Sequence, residues 1–202
     1  MALPVSLDDT APKQPRSDPN PILKFLFGRR SCHALRDPGP DAQALEKILY
    51  AGTCAPDFRR LQPFRVLAAS GDGRHRLGAM MQRAACRDGR DAEIIERAPR
   101  MPLRAPLVLA VISSPREDPI VPLLDQQFAA ASALLMMQLA AHALGFGSVW
   151  RSGWPMYSPA LHDELGLSEG ERIVGFLYIG TPAEGAKFRA HPEDASCDVT
   201  WI

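Results

Sequence analysis

Apolar and polar positions follow two different periods along this chain, and the changes of period mark its elements. Ile22 to Phe27 is largely apolar and passes into Gly28 and the basic stretch Arg29-Arg30-Ser31, which predicts a short helix followed by a loop. Asp41 stands ahead of Ala44, Leu45, Ile48 and Leu49, so an N-cap leads apolar positions three and four apart. That pattern predicts an amphipathic helix stopping near Pro56. Phe64 to Ala69 reads as a strand entered directly after Gln62-Pro63. Arg74 to Arg100 is charged, has a helical pattern and ends at Pro99 and Pro102, whereas Leu107 to Ile112 is the continuous apolar run of a buried strand. A Pro-rich loop, Pro115 to Pro122, leads to the longest predicted helix, Asp125 to Leu144. Being apolar nearly all round, that helix belongs at the centre of the protein or in a dimer interface, and Gly145 is placed to stop it. Gly147 to Arg151 forms a third strand, and Ser158-Pro159 opens a short helix ending at Gly166. Arg172 to Ile179 is a fourth strand, closed by Gly180-Thr181-Pro182. Helices and strands do not alternate as regular βαβ units, so the predicted fold class is α+β.

Composition narrows this picture. A chain of 202 residues suits one domain, placed here at residues 21–202. Met1 to Pro21 holds five prolines and few large apolar groups, which predicts a flexible arm over residues 1–20. With 23 basic and 23 acidic residues, no long-range field draws the chain toward nucleic acid or an anionic membrane, so any anion must be held locally. The apolar run from Phe128 to Leu144 is broken by Ser132, Gln138 and His142, which suits a buried helix rather than a membrane span. The N-terminus lacks the basic start and apolar block of a secretion signal. Cys32, Cys54, Cys86 and Cys197 match no disulfide or zinc spacing, and the expected setting is the reducing cytoplasm.

Candidate chemistry comes next. There is no GxGxxG after a strand, no phosphate-binding P-loop, and no legible Ser-His-Asp, Cys-His or paired-carboxylate arrangement. His75, His142, His162 and His191 are scattered and read as structural or solvated. Arg29-Arg30-Ser31 offers guanidinium forks and a hydroxyl that suit phosphate oxygens. On its own it reads better as a basic helix end complementing its dipole, and only the motifs downstream reverse that preference. Glycines at 145, 147 and 153 bracket Trp150-Arg151-Ser152 and allow close backbone approach to a flat ligand.

Taken in order, Arg29-Arg30-Ser31, Ala55-Pro56-Asp57 with Gln62-Pro63-Phe64, Gln138 through Gly147, and Trp150 to Gly153 resemble the nitroreductase family. So does Ile173 to Pro182. The resemblance is closest to the family's short, YdjA-like branch of NAD(P)H nitroreductases and runs over residues 21–182. It implies a mainly antiparallel central sheet flanked by helices, a homodimer, and FMN held between the subunits. It also implies ping-pong transfer of electrons from NAD(P)H to a small acceptor such as a nitroaromatic or quinone, with the protein tuning the cofactor. By the same resemblance Arg29 and Ser31, with Arg30 alongside, meet the FMN phosphate and ribityl chain. His33 falls near the flavin's pyrimidine edge or else lies in solvent, and Trp150, Arg151 and Ser152 line the cofactor.

Three positions depart from the expected pattern. Cys54 and Phe58 stand where the short branch carries Arg and His; Cys54 reads more simply as a small buried filler at a helix end, and Phe58 as an apolar or stacking wall. Arg60 stands where the wider family has an Asn on the flavin, two residues before Gln62, and Arg59 or Arg60 is expected to compensate across the interface. These departures leave open two other readings: a flavin-binding protein with little turnover, and a relative with a different reduction, such as a dehalogenase or enoyl-type reductase.

Overall fold

The computed structural model describes residues 20–188 and 197–202; the predicted arm, apart from Asn20, and His191 lie outside them. Asn20 opens α1 (Pro21–Gly28), its Oδ1 accepting from the Ile22 and Leu23 amides. Then follow β1 (Leu35–Arg36), α2 (Ala42–Thr53) and β2 (Phe64–Ser70). Asp41 caps α2 through the Ala44 amide at 2.8 Å, as its position predicts. The predicted helix from Arg74 to Arg100 is instead α3 (Asp72–Arg87) and α4 (Ala92–Arg97), followed by tight turns over Ala98–Arg100 and Pro102–Arg104. The break falls at Gly89, where the Gly89 and Arg90 amides turn back to the Cys86 and Ala85 carbonyls and end α3.

β3 (Leu107–Ser113), α5 (Leu123–Ala143) and β4 (Gly147–Arg151) match the predicted elements closely. Gly145, at φ +83°, ends α5 as expected: its amide reaches His142 and that of Phe146 reaches Ala141. The short α6 (Trp154–Tyr157) was not foreseen; α7 (Pro159–Glu164) was, with the Ser158 hydroxyl accepting from Leu161. β5 (Arg172–Pro182) runs three residues beyond its predicted end, because Thr181 and Pro182 pair with Arg36 and Leu35 instead of turning away.

The sheet is antiparallel throughout its named strands. β5 pairs with β3 (Leu109 opposite Leu177) and with β4 (Val149 opposite Tyr178), and β3 pairs in turn with β2 (Val66 opposite Val111). Residues 176–179 of β5 bond to both β3 and β4, so these lie on its two sides, and the order across the sheet is β2, β3, β5, β4. β3 is buried along its whole length because both sheet faces are covered. One face packs Leu109, Val111, Leu177 and Ile179 against Ile48 of α2 and Leu134 and Met137 of α5. The other packs Val108, Ile112, Phe176 and Tyr178 against Leu77 and Met81 of α3. Each fully buried Val, Leu or Ile contributes about 1.5–3 kcal/mol. Rather than lying at the centre, α5 covers one face of the sheet and leaves Leu124, Phe128 and Leu135 on its outer side exposed.

Candidate functional site

The predicted site residues fall into two groups at opposite edges of the sheet. The first starts at the end of α1, which Phe25 fastens to α5 by stacking on His142 with 4.9 Å between ring centroids. Arg30 folds back on its own helix, Nη1 donating to the Phe27 carbonyl and, at 2.9 Å, to that of Arg29. The helix-end role therefore belongs to Arg30. The Arg29 side chain has no hydrogen bond or ion pair among the described residues. Ser31 then runs alongside β4 in a parallel bridge with Ser148, and the Cys32 amide donates to the Ser148 carbonyl at 2.9 Å. Burial raises the Cys32 thiol, which donates to Ala34 O at 3.4 Å. His33 is exposed.

β4 sends its side chains to opposite faces. Trp150 lies on the α5 face, so close over Gly175 that a Cβ there would meet its Nε1 at 2.1 Å and Leu134 Cδ1 at 2.8 Å. Trp150 thus packs against the core, although 36 % of the residue stays accessible. Arg151 lies on the α3 face, its guanidinium 5.4 Å from the centre of the Tyr178 ring and Nη2 3.3 Å from His33 Nδ1. The two side chains therefore cannot line one face of a flat ligand. The main chain can serve instead: Ser148 turns its carbonyl outward to Cys32, so by strand alternation Trp150 turns its own to the same edge. No described strand pairs with it there.

The second group surrounds the turn before β2. Cys54 caps α2 and is exposed, its Sγ 3.6 Å from Tyr50 O, which corrects the expectation of a buried filler: the helix ends at the surface rather than against the core. Phe58 is 64 % exposed. Three non-glycine residues lie in the left-handed region, Arg59 (φ +66°), Arg60 (φ +54°) and Gln62 (φ +47°), each a strained conformation for such side chains. Two carboxylates hold the turn. Asp57 accepts from the Gln62 amide at 2.6 Å, and Asp118 pairs with Arg59 Nε at 3.0 Å. Asp118 also accepts from the Ile120 and Val121 amides; these bonds, that of Ile120 foremost, and the Arg59 charge hold its carboxyl below the usual range. Arg59 is thus engaged, while the exposed Arg60 side chain has no partner among the described residues.

Just past the turn, Arg65 makes a bidentate pair with Glu171, both bonds 2.7 Å, anchoring β2 to the start of β5. The Arg65 fork holds the Glu171 carboxyl down at about 2. β2 and β4 are the two outer strands, three inter-strand spacings apart, so roughly 14 Å of sheet separates the groups within one chain. Asp118, Arg104 and Tyr178 join these surroundings without any signal in their local sequence. Asp118 sits in a loop defined only by its prolines, and Arg104 is one arginine among many.

A model of the Nitroreductase family matches residues 26–181. The chain is 38 % identical over 180 residues to YdjA of Escherichia coli strain K12, provisionally named an NAD(P)H nitroreductase, covering 89 % of this chain and 98 % of that protein. A provisionally named NAD(P)H nitroreductase of Haemophilus influenzae is 31 % identical over 183 residues, with the same shares covered. Among solved structures, a provisionally named nitroreductase from Desulfovibrio desulfuricans, in complex with FMN, superposes with a TM-score of 0.66 at 26 % identity, covering 86 % of this chain and 92 % of that one.

Proposed function

The chain belongs to the nitroreductase family, and on that premise we propose that it is an FMN-dependent oxidoreductase passing electrons from NAD(P)H to a small electrophile such as a nitroaromatic or quinone. It works as a homodimer in which each site joins the β4 edge of one subunit to the β2 turn of the other. The observation that carries this reading is the division of the site: two groups of matching residues lie at opposite sheet edges, and each is incomplete alone. The outer face of α5, with Leu124, Phe128 and Leu135 exposed, together with Tyr50 of α2, supplies an apolar surface for the second subunit. A cytoplasmic setting suits the four unpaired cysteines.

The residues present fit FMN. The cofactor needs cations and hydroxyls for its phosphate, main-chain groups along its ring edge, and a donor for charge arriving at its pyrimidine. The Arg29 guanidinium, without a partner among the described residues, and Ser31 supply the first, the outward main chain of Trp150 the second, and Arg60 of the second subunit the third. When bound, FMN supplies hydride chemistry that no side chain of this protein performs. Arg29 and Ser31 hold the phosphate by charge-assisted hydrogen bonds. Arg60 places a fixed cation where negative charge develops on reduction.

The test is flavin content. The protein purifies yellow with one FMN per subunit, and Arg29→Ala weakens FMN binding by about ten- to a hundredfold, the range for losing a charge-assisted contact. Colourless protein that takes up no FMN on titration overturns the proposal.

A further inference from the structure

The cation offered to the flavin, Arg60, sits in a turn that its own residues do not favour, because Arg59, Arg60 and Gln62 are all left-handed without being glycine. Near neighbours hold only part of it: Asp57 accepts from the Arg60 amide on its main-chain carbonyl at 3.1 Å and from the Gln62 amide on Oδ2 at 2.6 Å. Arg59, the first of the three, is held from a distant part of the chain. Asp118, whose side chain is 8 % exposed, divides its two oxygens. Oδ1 accepts from the Ile120 and Val121 amides, at 2.8 and 3.0 Å, and Oδ2 faces Arg59 Nε at 3.0 Å. The loop that carries Asp118 is itself fastened to α5. Gln126, 3 % exposed, accepts from the Arg116 amide and donates to the carbonyls of Arg116 and Val121, on either side of Asp118. A continuous line of contacts therefore runs from α5 through Gln126, the loop and Asp118 to Arg59, and ends beside Arg60. An ion pair with a half-exposed arginine adds little stability. What it supplies here is position, since two amides already fix the carboxylate.

We propose that Asp118 is a positioning residue for Arg60. By holding Arg59 it keeps the turn in the shape that carries Arg60 to the second subunit's flavin, and it leaves Arg60, which has no partner among the described residues, as the cation presented there. This role rests on the oxidoreductase reading and adds to it a means of setting the cofactor's potential through a residue that acts only by way of Arg60. Position and charge give opposite signs for the loss of Asp118. Its own negative field disfavours a reduced, negatively charged flavin, so removing that charge alone raises the potential. Acting through Arg60, its removal lowers the potential instead, because the fixed cation is lost.

The test measures the two-electron flavin potential of the FMN-loaded protein by dye equilibration. Asp118→Asn keeps an oxygen for the Ile120 and Val121 amides and loses the carboxylate that faces Arg59. It lowers the preference for reduced over oxidised flavin by roughly tenfold, equivalent to about 30 mV, the same fall as Arg60→Gln. Asp118→Glu, which keeps the charge, lowers it less. In the double variant carrying Asp118→Asn and Arg60→Gln the potential equals that of Arg60→Gln alone, since a residue acting through Arg60 has nothing left to act on. Arg59→Gln breaks the same pair from the other side, leaves the loop's own bonds to Asp118 intact, and gives the same non-additive result with Arg60→Gln. It carries the test if Asp118→Asn does not fold, which circular dichroism and flavin content check. A potential that rises or stays level in Asp118→Asn while falling in Arg60→Gln overturns the positioning role and leaves the oxidoreductase reading standing, and so does additivity in the double variant. A potential that Arg60→Gln does not move overturns the role as well, because Arg60 then lies away from the flavin. Colourless protein that takes up no FMN overturns both.

Discussion

The two halves of the site are held by different forces. At the β4 edge the backbone is regular, and the positions follow from packing: Trp150 rests on Gly175 and Leu134, and Ser31 is registered against Ser148 by the sheet itself. At the β2 turn the backbone is strained at Arg59, Arg60 and Gln62, and carboxylates hold it: Asp57 within the turn, Asp118 from the proline-rich loop against it, Glu171 just behind it. Strain persists only where the surroundings over-determine it. The turn should therefore depend on ionisation, and the strand on close packing.

The sharpest way to break this comparison is to test whether the two halves meet across a dimer. Subunits carrying Arg29→Ala are refolded together with subunits carrying Arg60→Gln. A mixed dimer with shared sites has one site with both arginines and one with neither. At FMN concentrations where the Arg29→Ala homodimer stays empty, the mixed dimer retains flavin at one of its two sites, with the wild-type reduction potential. If each subunit builds its own site, the retained flavin shows the potential of the Arg60→Gln homodimer, and the shared arrangement is refuted.

A smaller effect comes from the anchor behind the turn. The Glu171 carboxyl lies near 2 in the folded protein against an ordinary 4.5, so its contribution is complete above about pH 4.5 and is lost as the pH falls toward 2. Glu171→Gln removes most of it at neutral pH. The side chain of Glu171 is 7 % exposed but that of Arg65 is 34 %, so the loss is about 2 kcal/mol, below that of a fully buried pair. Thermal unfolding at pH 7 shows a fall of about 4–8 °C, and the variant's stability changes less than wild type's between pH 4.5 and 2. Equal acid sensitivity in the two proteins contradicts the assigned role of Glu171.

The smallest effect separates strain from charge at Arg60. Arg60→Gln keeps the left-handed backbone and removes the cation, lowering the two-electron flavin potential by about 30 mV if the charge contributes about 1.4 kcal/mol. Arg60→Gly lowers it equally while raising stability by about 0.5–1 kcal/mol, because glycine adopts φ +54° without the side-chain penalty. Dye equilibration and denaturant titration read the two quantities. An unchanged potential in both variants shows that Arg60 faces solvent.

Local pattern alone determined most of the elements of this protein. The caps at Asp41 and Ser158, the stop at Gly145 and the buried runs of β3 and β5 are interactions between near neighbours, written in residues a few positions apart. Resemblance of short motifs was enough to identify the family and to nominate Arg29, Ser31 and Arg60. Where the elements end was less legible: the division of α3 from α4 and the continuation of β5 into Pro182 depend on a turn at Gly89 and on pairing with Leu35, about 150 residues away in the chain. What only the tertiary structure decided is how the nominated residues are divided. Strand order places the β2 turn and the β4 edge on opposite sides of one sheet. Strand alternation sends Trp150 and Arg151 to opposite faces, and two long-range ionic contacts engage Arg59 and Arg65, while Arg60 has no partner among the described residues. No local pattern carries these facts, because each depends on which distant segment lies alongside, and that is settled only when the whole core packs.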